Sequence, residues 1–218
     1  SLDDTMPDNE RLSWAIEAAT GIENVKLTYQ VLKKLPDALR DNDFHVNVVL
    51  KKLHHSVLVY DVVPVTEQRI CGAAIDIGTT VSAVIIDMAT GEILAKSSAG
   101  NGQIRYGADV INRIIESRKP GGEAKLQKAI IDETLNPMLH NMCRAAGIKG
   151  SQIYHMCIAS NTTMNHLLLG VNADPLRMEP YIPDFFETED VNAYDLRLDV
   201  HPNAKIIIAP NIGSYVGG

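Results

Sequence analysis

The clearest hydrophobic pattern in the chain is a pair of β-rich apolar runs that flank a short polar turn. The runs cover residues 71–77 and 81–87, and the turn between them covers residues 78–80. Apolar runs of this length, separated by a turn that contains glycine, predict a β-hairpin. A second turn at residues 88–91 leads into another β-rich run over residues 92–97. The pattern therefore predicts three consecutive strands.

The first third of the chain predicts two helices followed by a hairpin. Apolar residues recur at helical spacing over residues 9–21, and a second amphipathic pattern starts at residue 24 and meets Pro36, which stops or kinks a helix. Two partly alternating runs, residues 44–50 and 56–62, predict the strands of the hairpin. We expect a small α+β unit here.

Length and composition fit a globular protein of one or two domains. The chain has 218 residues, of which 45% are hydrophobic and 22% charged. Polar residues from Pro64 to Arg69 separate the small α+β unit from the strand at residue 71. We therefore expect one domain over residues 1–69 and another over residues 70–218.

The second domain is expected to continue with helices and two more strands. A long helix is predicted over residues 123–146, with a kink or a restart at Pro137. Apolar runs at residues 153–159 and 205–209 predict two further strands, which brings the total in this domain to five.

Residues 174–203 interrupt this pattern because they are rich in proline and show no periodicity. We interpret them as an insertion that is anchored to the fold by aromatic side chains. The expected anchors are Tyr181, Phe185, Phe186 and Tyr194. After the last strand, residues 210–216 are expected to begin a helix.

Charge and cysteine usage exclude several classes of protein. A net charge of −7, with acidic residues spread along the chain, argues against nucleic-acid binding. No apolar run approaches the ~20 residues that a membrane span needs, and no signal peptide is evident, so we expect a cytoplasmic protein. Cys71, Cys143 and Cys157 lie far apart, so we expect three small buried hydrophobes and no metal cluster. The adjacent His54 and His55 would face opposite ways in a strand, which disfavours a shared metal.

The turn after the first strand of the second domain is a candidate phosphate site. Gly78 has no Cβ and lets an anion approach the backbone amides, while the hydroxyls of Thr79 and Thr80 can donate to phosphate oxygens. Asp76 would be repelled by a phosphate, so it would have to act through a hydrated cation such as Mg²⁺. The same residues are also ordinary turn chemistry, in which the aspartate bonds to its own backbone.

Other polar residues stand at predicted helix starts. Asn161 and Thr162 follow the strand over residues 153–159, where free amides attract anions, and they could contact the terminal phosphate of a nucleotide. Asn161 could equally be an N-cap. For Asp109, in the first turn of a helix, the residues alone favour structural capping. His166 is expected to be a packing histidine.

Three strands that open on an acidic Gly-Thr-Thr turn resemble the first lobe of the actin, sugar-kinase and Hsp70 superfamily of ATPases. More specifically, four motifs in order along the chain resemble the reductive activators of corrinoid-dependent enzymes. These motifs are residues 74–80, 106–114, 161–164 and 210–217. The resemblance extends from about Val25 to the end of the chain.

In that family, a ferredoxin-type [2Fe–2S] domain is joined through a linker and a small middle domain to an actin-like ATPase domain. ATP drives the one-electron reduction of cob(II)alamin to cob(I)alamin. The resemblance implies an α/β fold of the ribonuclease-H-like, actin-like type, with a mixed five-stranded sheet and flanking helices, preceded by a small α+β domain. It implies ATP and Mg²⁺ as cofactors and a corrinoid protein or corrinoid methyltransferase as partner, and it leaves a homodimer open. We expect the chain to be a piece of a longer protein, with the [2Fe–2S] domain and the second ATPase lobe outside it.

The resemblance also assigns residues to one nucleotide cleft. Asp76 and Asn161 are the catalytic candidates, and Asp76 would hold Mg²⁺ through water. The nucleotide-binding candidates are Gly78, Thr79, Thr80, Gln103, Asp109 and Thr162. The chain departs from the family pattern at Ser160, where the family usually has glycine, and at Gly102, where it usually has proline.

Two other functions remain open on the sequence. One is a small-molecule kinase of the same superfamily, in which the cleft phosphorylates a sugar or an acid. The other is a non-enzymatic actin-like scaffold that binds nucleotide only to change shape. Four cysteines with ferredoxin spacing upstream of residue 1 would favour the activator over both.

Overall fold

The computed structural model describes residues 5–67, 69–188 and 191–213. The chain divides into two compact units, Ser1–Gln68 and Arg69–Gly218. Within the described ranges, no helix combines the length and the apolar character that crossing a membrane requires.

The first unit contains two helices and a three-stranded sheet. Its elements in chain order are α1 (Asp8–Thr20), β1 (Val25–Leu27), α2 (Tyr29–Arg40), β2 (Val46–Lys52) and β3 (Val57–Pro64). The strand order is β1-β3-β2, with β2 antiparallel and β1 parallel to β3. The predicted hairpin is therefore confirmed. Its core consists of Leu12, Ile16, Val31, Leu35, Leu39, Val57, Val59 and Val62.

The second helix begins later than predicted. The segment assigned to its first turn is β1, in which Val25 pairs with Val57. Helix α2 starts only after Thr28, whose hydroxyl oxygen accepts a hydrogen bond from the Val31 amide at 3.3 Å. Pairing with β3 provides hydrogen-bond partners for the backbone of this short segment. These tertiary contacts therefore outweigh its helical hydrophobic pattern. The helix continues past Pro36 to Arg40.

The second unit is built on a mixed five-stranded sheet, as predicted. Its strands are β4 (Cys71–Ile77), β5 (Thr80–Asp87), β6 (Ile93–Gly100), β7 (Ile153–Ser160) and β8 (Lys205–Ile208). Their order is β6-β5-β4-β7-β8. The first three strands are antiparallel neighbours, whereas β7 is parallel to both β4 and β8. This topology is consistent with the actin-like fold.

The described residues of this unit contain four α-helices beside the sheet: α3 (Val110–Ser117), α4 (Gly122–Ile130), α5 (Asn136–Ala146) and α6 (Thr162–Leu169). Helices α4 and α5 correspond to the single long helix of the sequence pattern. A π-helical turn, Ile131–Leu135, joins them, and Pro137 lies in the first turn of α5. Proline is tolerated there because its missing N–H would have no partner in the helix. The predicted interruption at Pro137 is confirmed.

The two faces of this sheet differ. Alternate residues such as Ile75 and Ile77 are buried in one core with helix residues such as Leu126 and Ile130. The opposite face is open and forms a depression of about 800 Å³. Its lining includes Ala74, Asp76, Ser82, Cys157 and Ile207.

The predicted burial of the cysteines is confirmed for Cys71 and Cys143, but it is wrong for Cys157. Side chains alternate between the two faces of a strand. In β7, Met156 and Ile158 point into the core. Cys157 therefore lies on the open face.

The segment before β8 is held by aliphatic side chains. Those that are buried are Leu176, Ala193, Leu196, Leu198 and Val200. Residues 191–200 follow the sheet edge, because Asn192 pairs with Lys205 and the Ile206 amide donates to Val191 O at 2.9 Å.

Three of the four predicted aromatic anchors are wrong, because the side chains are exposed. These are Tyr181, Phe186 and Tyr194. Phe185 does act as an anchor, since its ring stacks on His166 with the ring centroids 4.5 Å apart. After β8, residues 210–213 are irregular, and the rest of the helix predicted there lies outside the described residues.

Candidate functional site

The sheet register brings two of the predicted polar segments together. Strands β4 and β7 are parallel neighbours, with Asp76 beside Ala159 and Ile77 beside Ser160. Both strands end at the same edge of the sheet. The turn that follows β4 and the helix start that follows β7 therefore adjoin, although more than 70 residues separate them in the chain.

The turn between β4 and β5 exposes two hydroxyls. Thr79 and Thr80 are exposed, and the Gly78 amide donates to Thr80 O at 3.2 Å. A Cβ on Gly78 would lie 3.4 Å from its nearest neighbour, Thr80 O, which is ordinary contact. Crowding within the fold therefore does not require glycine at this position. Glycine at position 78 would instead be required if a ligand approached the backbone closely.

The Asp76 carboxylate is exposed at the end of β4, on the open face of the sheet beside Ser82. Within the described residues it makes no hydrogen bond to the turn, unlike an aspartate that serves only turn geometry. An exposed carboxylate suits Mg²⁺, which keeps most of its waters and needs one or two protein carboxylates. The described residues contain no group of three or more His, Cys, Asp and Glu side chains that could hold a metal directly. The Asp76 carboxylate therefore fits a hydrated Mg²⁺ ion, which would be bound through water.

Asn101 braces the turn and was not predicted from the sequence. Its side-chain Nδ2 donates to Gly78 O at 2.9 Å, and its backbone amide donates to Thr79 O at 3.0 Å. Its Oδ1 accepts from the Gln103 amide at 2.9 Å, so the residue also caps the 3₁₀ helix Gly102–Tyr106. Asn101 is buried. Only the capping role had a sequence signal, an asparagine directly before a helical segment.

Gln103 is fully buried. Its Nε2 donates to Leu126 O at 3.0 Å, which ties the loop after β6 to α4. The role visible in the structure is therefore to hold this loop, and nucleotide contact by Gln103 stays a prediction.

The departure from the family pattern at Gly102 has a structural counterpart. The Gly102 amide donates to Thr134 Oγ1 at 3.1 Å, and Thr134 Oγ1 donates to Ala129 O at 2.8 Å in the π-helical turn. A Cβ at position 102 would lie 2.7 Å from Ala129 O. Glycine is required here because the end of α4 and the Thr134 side chain approach the loop closely.

Asn161 is the N-cap of α6. Asn161 Oδ1 accepts from the Met164 amide at 2.9 Å, and the Thr162 hydroxyl donates to Gly213 O at 2.6 Å. Both side chains thus serve the fold. The amides of Thr162 and Thr163 belong to the first turn of the helix, whose donors have no intrahelical acceptor. An anion at this edge would meet those backbone amides.

Asp109 is the N-cap of α3, which is the capping role favoured by the sequence without the family resemblance. One carboxylate oxygen accepts from the Asn112 amide and the other from Asn112 Nδ2, both at 2.8 Å. The neighbouring Arg113 is buried and donates to Gly107 O at 3.0 Å. Burial lowers the pKa of Arg113, and the Asp109 charge opposes this shift.

The second departure, Ser160, takes part in a buried polar network that the sequence did not reveal. The Ser160 hydroxyl donates to Asn165 Oδ1, and Asn165 Nδ2 donates to Asn211 Oδ1 at 2.7 Å. Asn165 and Asn211 are both buried. The network ties the end of β7 and the second turn of α6 to the segment after β8.

Comparisons with known proteins agree with this architecture. A family model described as the RACo linker region matches residues 1–68, and one described as the RACo middle region matches residues 71–218. The corrinoid activation enzyme RamQ of Eubacterium limosum is 32% identical over 163 residues, which is 73% of this chain and 27% of that protein. A solved structure of a reductive activator for a corrinoid, iron–sulfur protein superposes with a TM-score of 0.83 at 34% identity, over 100% of this chain and 35% of that one. The chain thus spans about a third or less of these relatives, and it belongs to the family of corrinoid reductive activators.

Proposed function

We propose that the full-length protein is an ATP-dependent reductive activator that returns a corrinoid protein from cob(II)alamin to cob(I)alamin. The observation that carries this proposal is the turn at Gly78, braced by Asn101 and adjoining the start of α6, in a chain of the corrinoid reductive activator family. The names of the two relatives, a corrinoid activation enzyme and a reductive activator, favour this function over a small-molecule kinase or a scaffold.

In this proposal the nucleotide phosphates lie along the edge of the sheet where β4 and β7 end. The Gly78 backbone admits a phosphate closely, and the hydroxyls of Thr79 and Thr80 donate to its oxygens. The backbone amides at the start of α6 donate hydrogen bonds to the phosphate oxygens from a second side. Asn101 holds the turn in place before nucleotide arrives, so less ordering is needed on binding.

Asp76 would hold Mg²⁺ through water. The ion would neutralise charge on the phosphates and help orient them. The chain contributes the carboxylate and the rigid strand that carries it. Gln103, Asp109 and Asn161 have structural partners, so any role that they have in the cleft would be to position neighbouring groups.

The reducing electron would come from a [2Fe–2S] domain outside these 218 residues. A reduced cluster there would supply the single electron that converts Co(II) of the corrinoid substrate to Co(I), and ATP hydrolysis would drive this uphill transfer. Cys71 and Cys143 are buried and Cys157 lies on an open sheet face, an arrangement that does not fit a four-cysteine cluster. The partner would be a corrinoid protein or a corrinoid methyltransferase, in the cytoplasm.

The test is Asp76→Asn in the full-length protein, with Asp199→Asn as the matched control. Asp199 is an exposed aspartate whose backbone lies beside Gly150, before the start of β7 and therefore away from this edge. The substitution keeps the shape of the exposed side chain and removes its charge, so the fold should be retained. We expect Mg²⁺-dependent ATP hydrolysis and corrinoid reduction to fall about a hundredfold or more, a loss typical of removing one electrostatic element of a catalytic site. Unchanged steady-state hydrolysis in Asp76→Asn would contradict the assignment.

A further inference from the structure

The loop over residues 178–187 presents large apolar side chains to solvent. The exposed fractions of Met178, Ile182 and Phe186 are 54%, 56% and 54%. Between this loop and the 3₁₀ helix Asp174–Arg177 lies a depression of about 430 Å³, lined in part by Met178 and Ile182. Met178 and Ile182 share this depression, and Phe186 is exposed four residues further along the same loop. Apolar surface of this kind is typical of interaction sites.

The loop is held firmly to the fold from its inner side. The Asp184 amide donates to His166 Nε2 at 3.2 Å, and the Phe185 ring stacks on the His166 ring. Asn211 Nδ2 donates to Phe185 O at 2.9 Å, and the Asn211 amide donates to Phe186 O at 2.7 Å. Because the backbone of this loop is already held in place, little conformational entropy would be lost when a partner binds. The surface is therefore preorganised for binding.

The histidine that holds the loop also contacts the start of α6. His166 Nε2 accepts from the Asp184 amide, so Nδ1 carries the proton and donates to Thr162 O at 2.8 Å. The loop is therefore fastened to the same helix turn that adjoins Gly78. A partner bound on this loop would be positioned relative to the edge of the sheet where the nucleotide is proposed to lie.

The charged residues within the loop are all acidic, and the neighbouring Arg177 is paired with Asp174. Residues 178–187 include Glu179, Asp184 and Glu187 and contain no Lys or Arg. All three acidic residues are exposed. Such a surface is complementary to an apolar patch bordered by basic residues, and it repels a second copy of itself.

We propose that residues 178–187, which we call the docking loop, bind a protein partner through an apolar patch bordered by Lys and Arg. Met178, Ile182 and Phe186 supply the apolar contact, and Glu179, Asp184 and Glu187 attract the basic border. This inference rests on the proposed function in one respect: the partner is taken to be the corrinoid protein that the full-length protein reduces.

The experiment measures binding of that corrinoid protein to the full-length protein by surface plasmon resonance at several salt concentrations. The test variant is the double substitution Ile182→Ser and Phe186→Ser. The matched control is Tyr194→Ser, which removes another exposed aromatic ring of the same unit outside the docking loop. We expect the double variant to bind at least tenfold more weakly and the control to bind within twofold of the unaltered protein.

A second variant tests the charge. Glu187→Lys should lower the association rate several-fold and reduce its dependence on salt. Charged residues at the edge of an interface act mainly on the rate at which the two proteins associate. ATP hydrolysis measured without the corrinoid protein should be unchanged in both docking-loop variants. That measurement separates loss of docking from loss of the nucleotide site.

Three outcomes would overturn the proposal. If the double variant binds the corrinoid protein with unchanged affinity while reduction proceeds, the docking loop is not the interface, although the proposed function stands. If the double variant loses thermal stability or changes its oligomeric state, the loop is covered by its own polypeptide or by a second copy. If the unaltered protein neither binds nor reduces a corrinoid protein, both the inference and the proposed function fail.

Discussion

Asn101 and Gly78 are 23 residues apart in the chain, yet Asn101 Nδ2 donates to the Gly78 carbonyl oxygen over 2.9 Å. Because Asn101 is buried, its substitution leaves the Gly78 oxygen and the Gln103 amide without their partner. We expect Asn101→Ala to lower the free energy of unfolding by about 1–3 kcal/mol. In the full-length protein it should also weaken Mg-ATP binding, since the turn is no longer held.

Urea unfolding followed by circular dichroism, together with titration calorimetry, measures both effects. Asn141→Ala is the control, because this exposed asparagine on α5 should change stability by less than about 0.5 kcal/mol. An Asn101→Ala variant with unaltered stability and unaltered nucleotide affinity would contradict the bracing role.

Gly102 is predicted to be intolerant of a side chain. In Gly102→Ala the new Cβ would lie 2.7 Å from the backbone oxygen of Ala129, so the loop or the end of α4 must shift. We expect a cost of about 1–3 kcal/mol. Gly102→Pro should cost more, since it also removes the hydrogen bond to Thr134.

The control for Gly102 is Gly100→Ala, where a Cβ would meet nothing within 4 Å. That substitution should be neutral or slightly stabilising, because it reduces the entropy of the unfolded chain. Equal stabilities of the two alanine variants in urea unfolding would show that the close approach at Gly102 has no energetic consequence.

The three cysteines are predicted to differ in reactivity. Burial, assisted by the charge of Asp87, raises the pKa of the Cys71 thiol to about 11, and burial also raises the pKa of Cys143. Both thiols should stay protonated and inaccessible at pH 8, whereas Cys157 is exposed. Titration of the 218-residue chain with DTNB should therefore modify one thiol quickly in the folded state and three after unfolding.

Cys157→Ser should remove the fast phase of this titration and leave the number of slow thiols unchanged. Rapid reaction of two or more thiols in the folded chain would mean that the sheet does not separate its faces as described.

Stability should fall on acidification because of His166. Burial lowers the pKa of His166, while Thr162 O and the Asp184 charge oppose this shift without cancelling it. The unfolded state, with a histidine pKa of about 6.5, then binds the proton more readily than the folded state. The stabilisation is complete above that pH and is lost as the pH falls, with a limiting slope of about 1.4 kcal/mol per pH unit.

Urea unfolding at pH 7.5, 6.5 and 5.5 measures this slope. His166→Gln should be less stable at pH 7.5 but should lose less stability on acidification, whereas His140→Gln, at an exposed position, should follow the unaltered chain. A slope in His166→Gln as steep as that of the unaltered chain would assign the pH dependence to another group.

Elements that depend on local signals could be predicted from the residues alone. A glycine turn between two β-rich runs identifies β4 and β5. Pro137 marks the restart of the helix as α5, because proline has no N–H and is favoured in the first turn of a helix. The motif around Gly78 and the order of the four motifs were sufficient for the family, since each motif is read within a few consecutive residues.

Which of these residues come into contact depends on long-range pairing in the fold. The parallel register of β4 and β7 places Asp76 beside Ala159, and no local pattern encodes a pairing across so many residues. The roles of Asn101 and of the Asn165–Asn211 pair could not be predicted from the sequence, because a buried asparagine is distinguished by its distant partners. The segment over residues 25–27 is a strand only because β3 offers it hydrogen bonds. Local chemistry thus specified the elements, and long-range hydrogen bonding specified the site.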